Sequence, residues 1–184
     1  MEQTQMKKIL EMGPGKSPYK AKIGEQVITI DKVRLPGIDI VHDLNKSPWP
    51  FKENEFDEVL CFMILEHLDD FIKAVEEIWR ISKQGGIVRV TVPFFPSMYA
   101  ASDPTHKNFF TYFSFDCFTQ NHTFDYYSKA KFNIKKRYIR FSWNKILNIL
   151  STVINIMPTA YSRYFAGILP SNEIYFELEV VKGG

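Results

Sequence analysis

The sequence predicts an α/β protein built on a doubly wound, mostly parallel β-sheet. Short apolar and β-branched runs alternate with turns and with a clear helical segment over the first half of the chain. This alternation is typical of parallel sheets whose strands are joined by crossovers. A Gly-x-Gly turn follows the first run directly, and acidic residues follow the first three runs. Ligands of open α/β sheets bind at the carboxyl ends of the strands.

The first predicted strand contains Ile9 and Leu10 and is closed by Glu11. Gly13 and Gly15 come next, and because neither residue carries a Cβ, the backbone there can approach a ligand closely. Many such glycine pairs are plain turns, so the motif alone leaves both interpretations open.

The second and third predicted strands also end in acids. Val27–Ile30 ends in Asp31, 20 positions after the acid of the first strand, and Ile38–Val41 precedes Asp43 and Leu44. A carboxylate at the tip of the second strand can accept hydrogen bonds from two ribose hydroxyls. Each acid alone could be a turn or N-cap residue, but three at matching places favour a nucleotide-type site.

The fourth predicted strand, Phe56–Leu65, is almost continuously apolar, as expected for a central parallel strand buried on both faces. Glu66 and His67 interrupt the run at its carboxyl end. The preceding segment 47–51 contains two prolines and cannot form regular structure. Its Trp49 is either a buried loop residue or an apolar contact for a base.

A helix follows the fourth strand, with Asp69 or Asp70 as its N-cap. Glu76 and Arg80 are predicted to form an i,i+4 pair on its solvent side. Gly85–Gly86 is expected to end the helix in a left-handed cap, just before a fifth strand.

Together these segments resemble the class I S-adenosylmethionine-dependent methyltransferases, most closely the small type 11-like branch in which Glu-His-Leu follows the fourth strand. The resemblance rests on ILEMGPG, VITID, HDLNKSPWPFKENEFDEVLCFMILEHLDD and EEIWRISKQGGIVRVTVP, which cover about half of the chain. It implies a Rossmann-like sheet of seven strands, mostly parallel with an antiparallel last strand, and S-adenosyl-L-methionine as cofactor. The residues that it implies for cofactor binding are Glu11, Gly13, Gly15, Asp31, Asp43, Leu44 and Glu66.

Length and architecture favour a single methyltransferase domain over residues 1–184, with a cofactor-binding half at 6–95 and an acceptor side at 96–184. Members of the resembled family usually carry a helical segment before the first strand, whereas only about five residues precede it here. The family pattern also places a helix after the glycine turn. Because Pro18 leaves too few residues for a stable helix, a loop or single turn is expected over Lys16–Ile23.

The second half continues the alternation. A turn at Asp103–His106 precedes an aromatic cluster, and Phe132–Trp143 alternates as a strand. Lys145–Ile156 has the pattern of an amphipathic helix, and Glu173–Val181 is the last predicted strand. Polar residues interrupt the apolar stretch 141–169, which argues against a membrane span. Three interpretations remain for this stretch: a helix packed on the sheet, a surface for a lipid-like substrate, or a homodimer interface.

The composition suits a globular protein of a reducing compartment. The 23 basic and 21 acidic residues nearly cancel, so no strong field indicates nucleic acid as a partner. Cys61 and Cys117 lack paired spacing, which suits the cytoplasm and argues against a disulfide framework. The start of the chain has no signal-peptide pattern. No two residues share a metal-ligand spacing, so no metal site is expected.

Methyl transfer from a sulfonium is a direct displacement, so positioning of the acceptor can supply much of the acceleration. A hydroxyl acceptor also needs a base, and histidine is the usual choice. His106, in the loop after the fifth strand, is the candidate catalytic residue. His67 is expected to be a wall of the pocket, and His42 and His122 have no predicted role.

The sequence therefore predicts a cytoplasmic S-adenosylmethionine-dependent methyltransferase that acts on a small-molecule or lipid-like acceptor. Two alternatives stay open. An NAD-linked oxidoreductase also uses a glycine turn and a second-strand acid, but here the third glycine is absent and the first strand ends in Glu11. A non-catalytic binding module with the same fold is favoured by the irregular Lys16–Ile23 segment.

Overall fold

The computed structural model describes residues 6–183, which form one seven-stranded sheet flanked by short helices. The strands are Lys7–Met12 (β1), Glu25–Asp31 (β2), Ile40–Val41 (β3), Phe56–Phe62 (β4), Ser82–Pro93 (β5), Lys131–Arg140 (β6) and Glu173–Val181 (β7). The helices are Phe71–Ile81 (α1), Met98–Ser102 (α2), Ile149–Ile154 (α3) and Pro158–Ala160 (α4).

The strands lie in the order β3-β2-β1-β4-β5-β7-β6. Pairing is parallel from β3 to β5, and β7 runs antiparallel to both of its neighbours. This arrangement confirms the predicted Rossmann-like, mostly parallel sheet with an antiparallel last strand. Residues 16–23 form no helix, as their sequence predicts.

The centre of the sheet is its most buried part. Leu10 of β1 and Val59 and Cys61 of β4 have no exposed surface, because strands in the middle of a parallel sheet are covered on both faces. Burial raises the pKa of the Cys61 thiol. Cys61 therefore behaves as a small apolar residue in this core.

The fourth strand is shorter than the sequence predicts, since β4 ends at Phe62. Met63 has a φ of 52°, in the left-handed region that non-glycine residues rarely adopt. A 3₁₀ turn over Leu65–His67 follows. The chain thus leaves the sheet three residues before the predicted end, which puts Glu66 and His67 in a turn above it.

Helix α1 begins where the sequence predicts and packs against β5. The Asp70 carboxylate accepts a hydrogen bond from Lys73 N at 3.0 Å, so Asp70, rather than Asp69, is the N-cap. The helix ends at Ile81, and the predicted glycine cap is wrong. Gly85, with a φ of 71°, lies within β5 where its register against β4 shifts.

The predicted pair of Glu76 and Arg80 is also wrong. Arg80 pairs with Glu77 at 2.7 Å and donates to Phe51 O at 2.9 Å, while Glu77 accepts from Trp49 N at 2.7 Å. Glu76 instead accepts from the Ser128 hydroxyl. The irregular loop before β4 supplies backbone groups that need partners, and they draw this ion pair to the inner side of α1.

The second half of the chain departs most from the predicted boundaries. β6 ends at Arg140, three residues before the predicted end, and α3 covers only Ile149–Ile154 of the predicted helix Lys145–Ile156. Much of the stretch 141–169 is apolar and exposed; its most exposed apolar side chains are Ile146, Ile149, Val153, Ile156, Met157, Tyr164 and Ile168. Within residues 6–183, no helix has both the length and the apolar character needed to cross a membrane.

The helix cap gives a direct test of local stability. Asp70→Ala should lower the free energy of unfolding by about 1 kcal/mol, because it removes a side-chain acceptor from the first turn of α1. Asp69→Ala is the matched control, since the Asp69 side chain forms an exposed ion pair with Lys107, which is worth little. Urea unfolding measures both variants, and equal losses would contradict the assignment of the cap.

Candidate active site

The first candidate cavity lies at the carboxyl ends of β1, β2 and β4, where strand order reverses around β1. Such a switch point is where open α/β sheets bind ligands. The cavity has a volume of about 280 Å³. Its lining residues are Gly13, Asp31, Lys32, Asp43, Leu44, Asn45, Met63, Ile64, His67, Leu68 and Thr105.

The glycine turn after β1 has two glycines in the left-handed region, with φ of 63° at Gly13 and 58° at Gly15. A Cβ at Gly13 would lie 2.6 Å from Cδ1 of Ile64, whereas a Cβ at Gly15 would meet nothing within 4 Å. Gly13 therefore keeps two loops of the cavity close together, and Gly15 is selected by its backbone conformation alone.

Asp31 ends β2 and lines this cavity. Its Oδ2 accepts from Gly15 N at 3.2 Å and its Oδ1 from Val33 N at 2.9 Å. Since each carboxylate oxygen has two lone pairs, both oxygens keep capacity for hydroxyl donors of a ligand. These backbone bonds also hold the carboxylate in place beside the glycine turn.

Glu11 does not line the cavity. It is buried, and its Oε2 accepts from Tyr19 N at 2.7 Å. Burial raises the pKa of this carboxyl, and the Tyr19 amide opposes the shift. The contact of Glu11 in the structure is thus with the loop 16–23, which it ties to the end of β1.

Asp43 and Leu44 line the cavity on the side of β3. Trp49 is only 2% exposed, and its indole Nε1 donates to Leu44 O at 3.0 Å. Trp49 is therefore the buried loop residue among the two interpretations of the sequence. It supports the backbone of Leu44 rather than forming the wall itself.

A second cavity of about 380 Å³ adjoins the first. The two share Met63 and His67, which follow β4. The other residues that line the second cavity are Glu66, Pro93, Tyr99, Ser102, Asp103, His106, Trp143 and Asn172. Both cavities thus open on the turn that follows β4.

The loop after β5 is fastened to this turn by backbone and amide hydrogen bonds. Lys107 N and Asn108 N both donate to Glu66 O, at 2.7 and 3.1 Å. The Asn108 Nδ2 donates to Leu65 O at 3.1 Å and to Leu68 O at 2.6 Å. Since His106 directly precedes these residues, its ring is brought beside His67, with 4.8 Å between ring centroids.

The electrostatics of the second cavity differ from those of the first. Glu66 is 1% exposed, and burial, reinforced by the nearby Asp103, raises its pKa to about 7. Burial and the neighbouring His106 lower the pKa of His67. The His106 side chain is 8% exposed, and its Nδ1 lies 3.1 Å from Ala100 O. A carbonyl only accepts, so Nδ1 carries the proton and Nε2 has a free lone pair.

The structure brings most of the sequence-predicted residues to one edge of the sheet. Gly13, Asp31, Asp43 and Leu44 line the first cavity, Glu66 and His106 line the second, and Glu11 and Gly15 lie directly behind the first. Sequence analysis missed the grouping of Glu66, His67 and His106, whose potential ligand atoms lie within 4.8 Å of one another. The sequence carried only a partial signal: the two histidines follow successive predicted strands, which does not show that their loops meet.

Comparisons with known proteins find similar sequences and a similar fold. A family model described as "Methyltransferase domain" matches residues 10–90. A Mycolicibacterium smegmatis protein named "Probable S-adenosylmethionine-dependent methyltransferase" is 29% identical over 114 residues, which are 53% of this chain and 44% of that protein. An uncharacterised Methanocaldococcus jannaschii protein is 51% identical over 43 residues, 23% of this chain and 19% of that protein.

The chain thus spans less than half the length of these curated relatives. Among solved structures, a SAM-dependent methyltransferase from Archaeoglobus fulgidus has a similar fold, with a TM-score of 0.61 and 14% identity. That similarity covers 96% of this chain and 87% of the other. The shared fold therefore extends over both halves of the domain, beyond the part that the sequence motifs cover.

The two glycines of the turn provide a matched pair of variants. Gly15→Ala should destabilise the fold by about 1–2 kcal/mol, the cost of a side chain in the left-handed region. Gly13→Ala should cost more, because its Cβ must also displace Ile64. Chemical denaturation of both variants checks the difference, and a Gly13→Ala variant as stable as Gly15→Ala would show that Ile64 yields freely.

Proposed function

We propose that this chain, which is similar to S-adenosylmethionine-dependent methyltransferases in sequence and in fold, transfers a methyl group from S-adenosyl-L-methionine to a small-molecule or lipid-like acceptor. The observation that carries the proposal is the pair of adjoining cavities at the strand ends. One is lined by the glycine turn and by acids after β2 and β3, and the other contains a histidine with a free ring nitrogen.

The residues of the first cavity fit the cofactor. Gly13 lines the cavity, and a residue without a side chain supports close approach of the methionine part to the backbone. The open lone pairs of Asp31 fit the two ribose hydroxyls, and Leu44 offers an apolar wall for the adenine. Asp43 and Gly15 complete this proposed set, while Glu11 acts through the loop it holds. Glu66 lies at the far end, between the cofactor and the second cavity.

The bound cofactor supplies an electrophilic methyl group on a positively charged sulfur. The chain itself has to hold the acceptor in line with that methyl group and to exclude competing water, since positioning accounts for much of such catalysis. Tyr99 and Trp143, whose rings lie 4.4 Å apart, would wall the acceptor in the second cavity. His106 would accept a proton from an acceptor hydroxyl at Nε2, with Ala100 O holding the proton at Nδ1.

The acceptor class rests on two surfaces. The second cavity, of about 380 Å³, suits a small molecule with a polar reacting group. A lipid-like acceptor is supported by a larger apolar groove of about 680 Å³ on the same half of the chain. It is lined by Val153, Ile154, Ile156, Met157, Ala160, Tyr161, Phe165, Ile168 and Leu169. The same surface would serve as the interface of a homodimer.

A cytoplasmic location forms part of the proposal. Cys61 and Cys117 are both free thiols, as expected for a protein that works in a reducing compartment.

Calorimetry tests the cofactor. S-adenosylhomocysteine should bind to the chain and NAD should not, and Asp31→Ala should weaken S-adenosylhomocysteine binding by about 1.5–3 kcal/mol, as expected for lost charged hydrogen bonds. Glu53→Ala, an exposed change at the opposite end of β4, is the control. Because Asp31 also accepts from two backbone amides, the unfolding temperature of the variant is measured alongside. Unchanged affinity in a folded Asp31→Ala variant would contradict the assignment.

The catalytic role of His106 is tested by following the methyl group. The chain is incubated with methyl-labelled donor and with separate small-molecule and lipid extracts, and the labelled fraction identifies the acceptor class. His106→Ala should slow labelling by about 10²- to 10⁴-fold, the range for a lost general base, while S-adenosylhomocysteine affinity stays unchanged. His122→Ala, in a loop outside both cavities, should label at the normal rate. If S-adenosylhomocysteine binds but neither extract is labelled, the non-catalytic binding module is favoured.

A further inference from the structure

We infer that Glu66, His67 and His106 form a binding site for a divalent transition-metal ion between the two cavities. One carboxylate oxygen and one ring nitrogen from each histidine lie within 4.8 Å of one another. Metal-bound ligand atoms are about 3.0–3.4 Å apart when each lies about 2.1 Å from the ion. Small side-chain rotations would therefore close the three groups around an ion.

Glu66 carries the strongest sign of a missing partner. Its side chain is 1% exposed, and within the part of the chain that the structure describes its Oε2 has no hydrogen-bond partner. An unpaired buried carboxylate oxygen is costly. No lysine or arginine lines the second cavity together with Glu66. A bound cation would be the partner that Glu66 Oε2 lacks among the described residues.

Both histidines have the lone pair that a metal requires. His67 Nδ1 lies 2.9 Å from Thr105 Oγ1, and that hydroxyl donates its own hydrogen to Asp103 Oδ1 at 2.7 Å. Thr105 must therefore accept from His67 Nδ1, which leaves His67 Nε2 free. His106 is held in the same tautomer by Ala100 O.

Histidines that bind metals almost always donate their other ring hydrogen to a carbonyl, a carboxylate or a similar acceptor, which fixes the tautomer and the ring orientation. His106 meets this requirement through a backbone carbonyl, and His67 through the Thr105–Asp103 chain. Asp103 Oδ2 also lies 3.9 Å from His106 Nε2, so a carboxylate stands next to the site without occupying it.

The donor set indicates the class of metal. Two imidazole nitrogens and one carboxylate oxygen suit Zn²⁺, Fe²⁺, Co²⁺ or Ni²⁺, whereas Mg²⁺ and Ca²⁺ prefer oxygen ligands throughout. Three protein ligands also leave coordination positions open, as in catalytic rather than structural sites. These positions would face the second cavity, in which all three side chains lie.

The role of the ion rests on the proposed function, although its binding does not. An acceptor hydroxyl bound to the ion would lose its proton more readily, because the cation stabilises the resulting anion. The Asp103 carboxylate, which lines the same cavity, would take that proton. In that case His106 holds the ion at Nε2 instead of taking the proton directly. The neighbouring His67 lines both cavities, so the ion would lie where acceptor and cofactor meet.

The test uses the whole chain after treatment with a chelator and desalting. Co²⁺ is titrated alone and followed by its visible absorption, and Zn²⁺ by calorimetry. One ion should bind per chain. His67→Ala, His106→Ala and Glu66→Gln should each weaken binding by about 100-fold or more, since loss of outer-shell partners alone costs 10–100-fold. His122→Ala should bind as tightly as the unmodified chain.

Thermal unfolding shows which variants are folded, and if Glu66→Gln is not, the two histidine variants decide. Equal Co²⁺ affinity in the unmodified chain and in a folded His67→Ala/His106→Ala double variant would overturn the inference. S-adenosylhomocysteine is titrated into the same metal-free samples. Binding of S-adenosylhomocysteine without binding of metal would overturn the metal site and leave the proposed function intact. Binding of metal without binding of S-adenosylhomocysteine would support the metal site and contradict the proposed function.

Discussion

The pairing of β4 with β1 on one side and β5 on the other sets the position of every loop in the candidate site. Met12 is in register with Cys61, and Phe62 with Thr91, so the three strands end at nearly the same height. The glycine turn, the turn over Leu65–His67 and the loop that contains His106 must then leave the sheet side by side. Burial of β4 on both faces favours this register, because its apolar side chains are closely packed against the layers that cover them.

Sequence patterns predict those parts of the fold that depend on neighbours in the chain. The strands around Leu10, Val59 and Val90 follow from apolar runs, and Gly13 from the tight turn after the first of them. The partner of Arg80 was not predictable, because spacing along a helix does not show which carboxylate a distant loop will engage. Arg80 pairs with Glu77, whose carboxylate also accepts a hydrogen bond from Trp49 N. Gly85 was misassigned for the same reason, since only the pairing of β5 with β4 shows that it lies in an irregular strand.

The candidate site also has one part that could be located from sequence and one part that could not. The first cavity could be located from sequence, because most of the residues predicted for it directly follow a predicted strand, and the carboxyl ends of parallel strands meet at one edge of the sheet. The grouping of His67 with His106 could not, since it depends on Asn108, whose side chain donates to Leu65 O and Leu68 O. An asparagine in an irregular loop gives no sequence pattern that shows whether its side chain joins two loops, as that of Asn108 does, or forms an ordinary turn. The acceptor-side helices are equally undetermined, because exposed apolar residues do not identify what they contact.

The hydrogen bonds that join the Asn108 loop to the turn after β4 have a further consequence for the candidate site. The Asn108 side chain and Glu66 O form their hydrogen bonds with other protein groups. These bonds therefore set the distance between the two histidine rings without a bound ligand. Thr105 adds a second connection by joining His67 to Asp103. Rings held in this way lose little freedom when they bind an acceptor or an ion, and preorganisation of this kind strengthens electrostatic stabilisation of a developing charge. The fold therefore prepares the second cavity through hydrogen bonds among its loops, and the first cavity through the strand ends themselves.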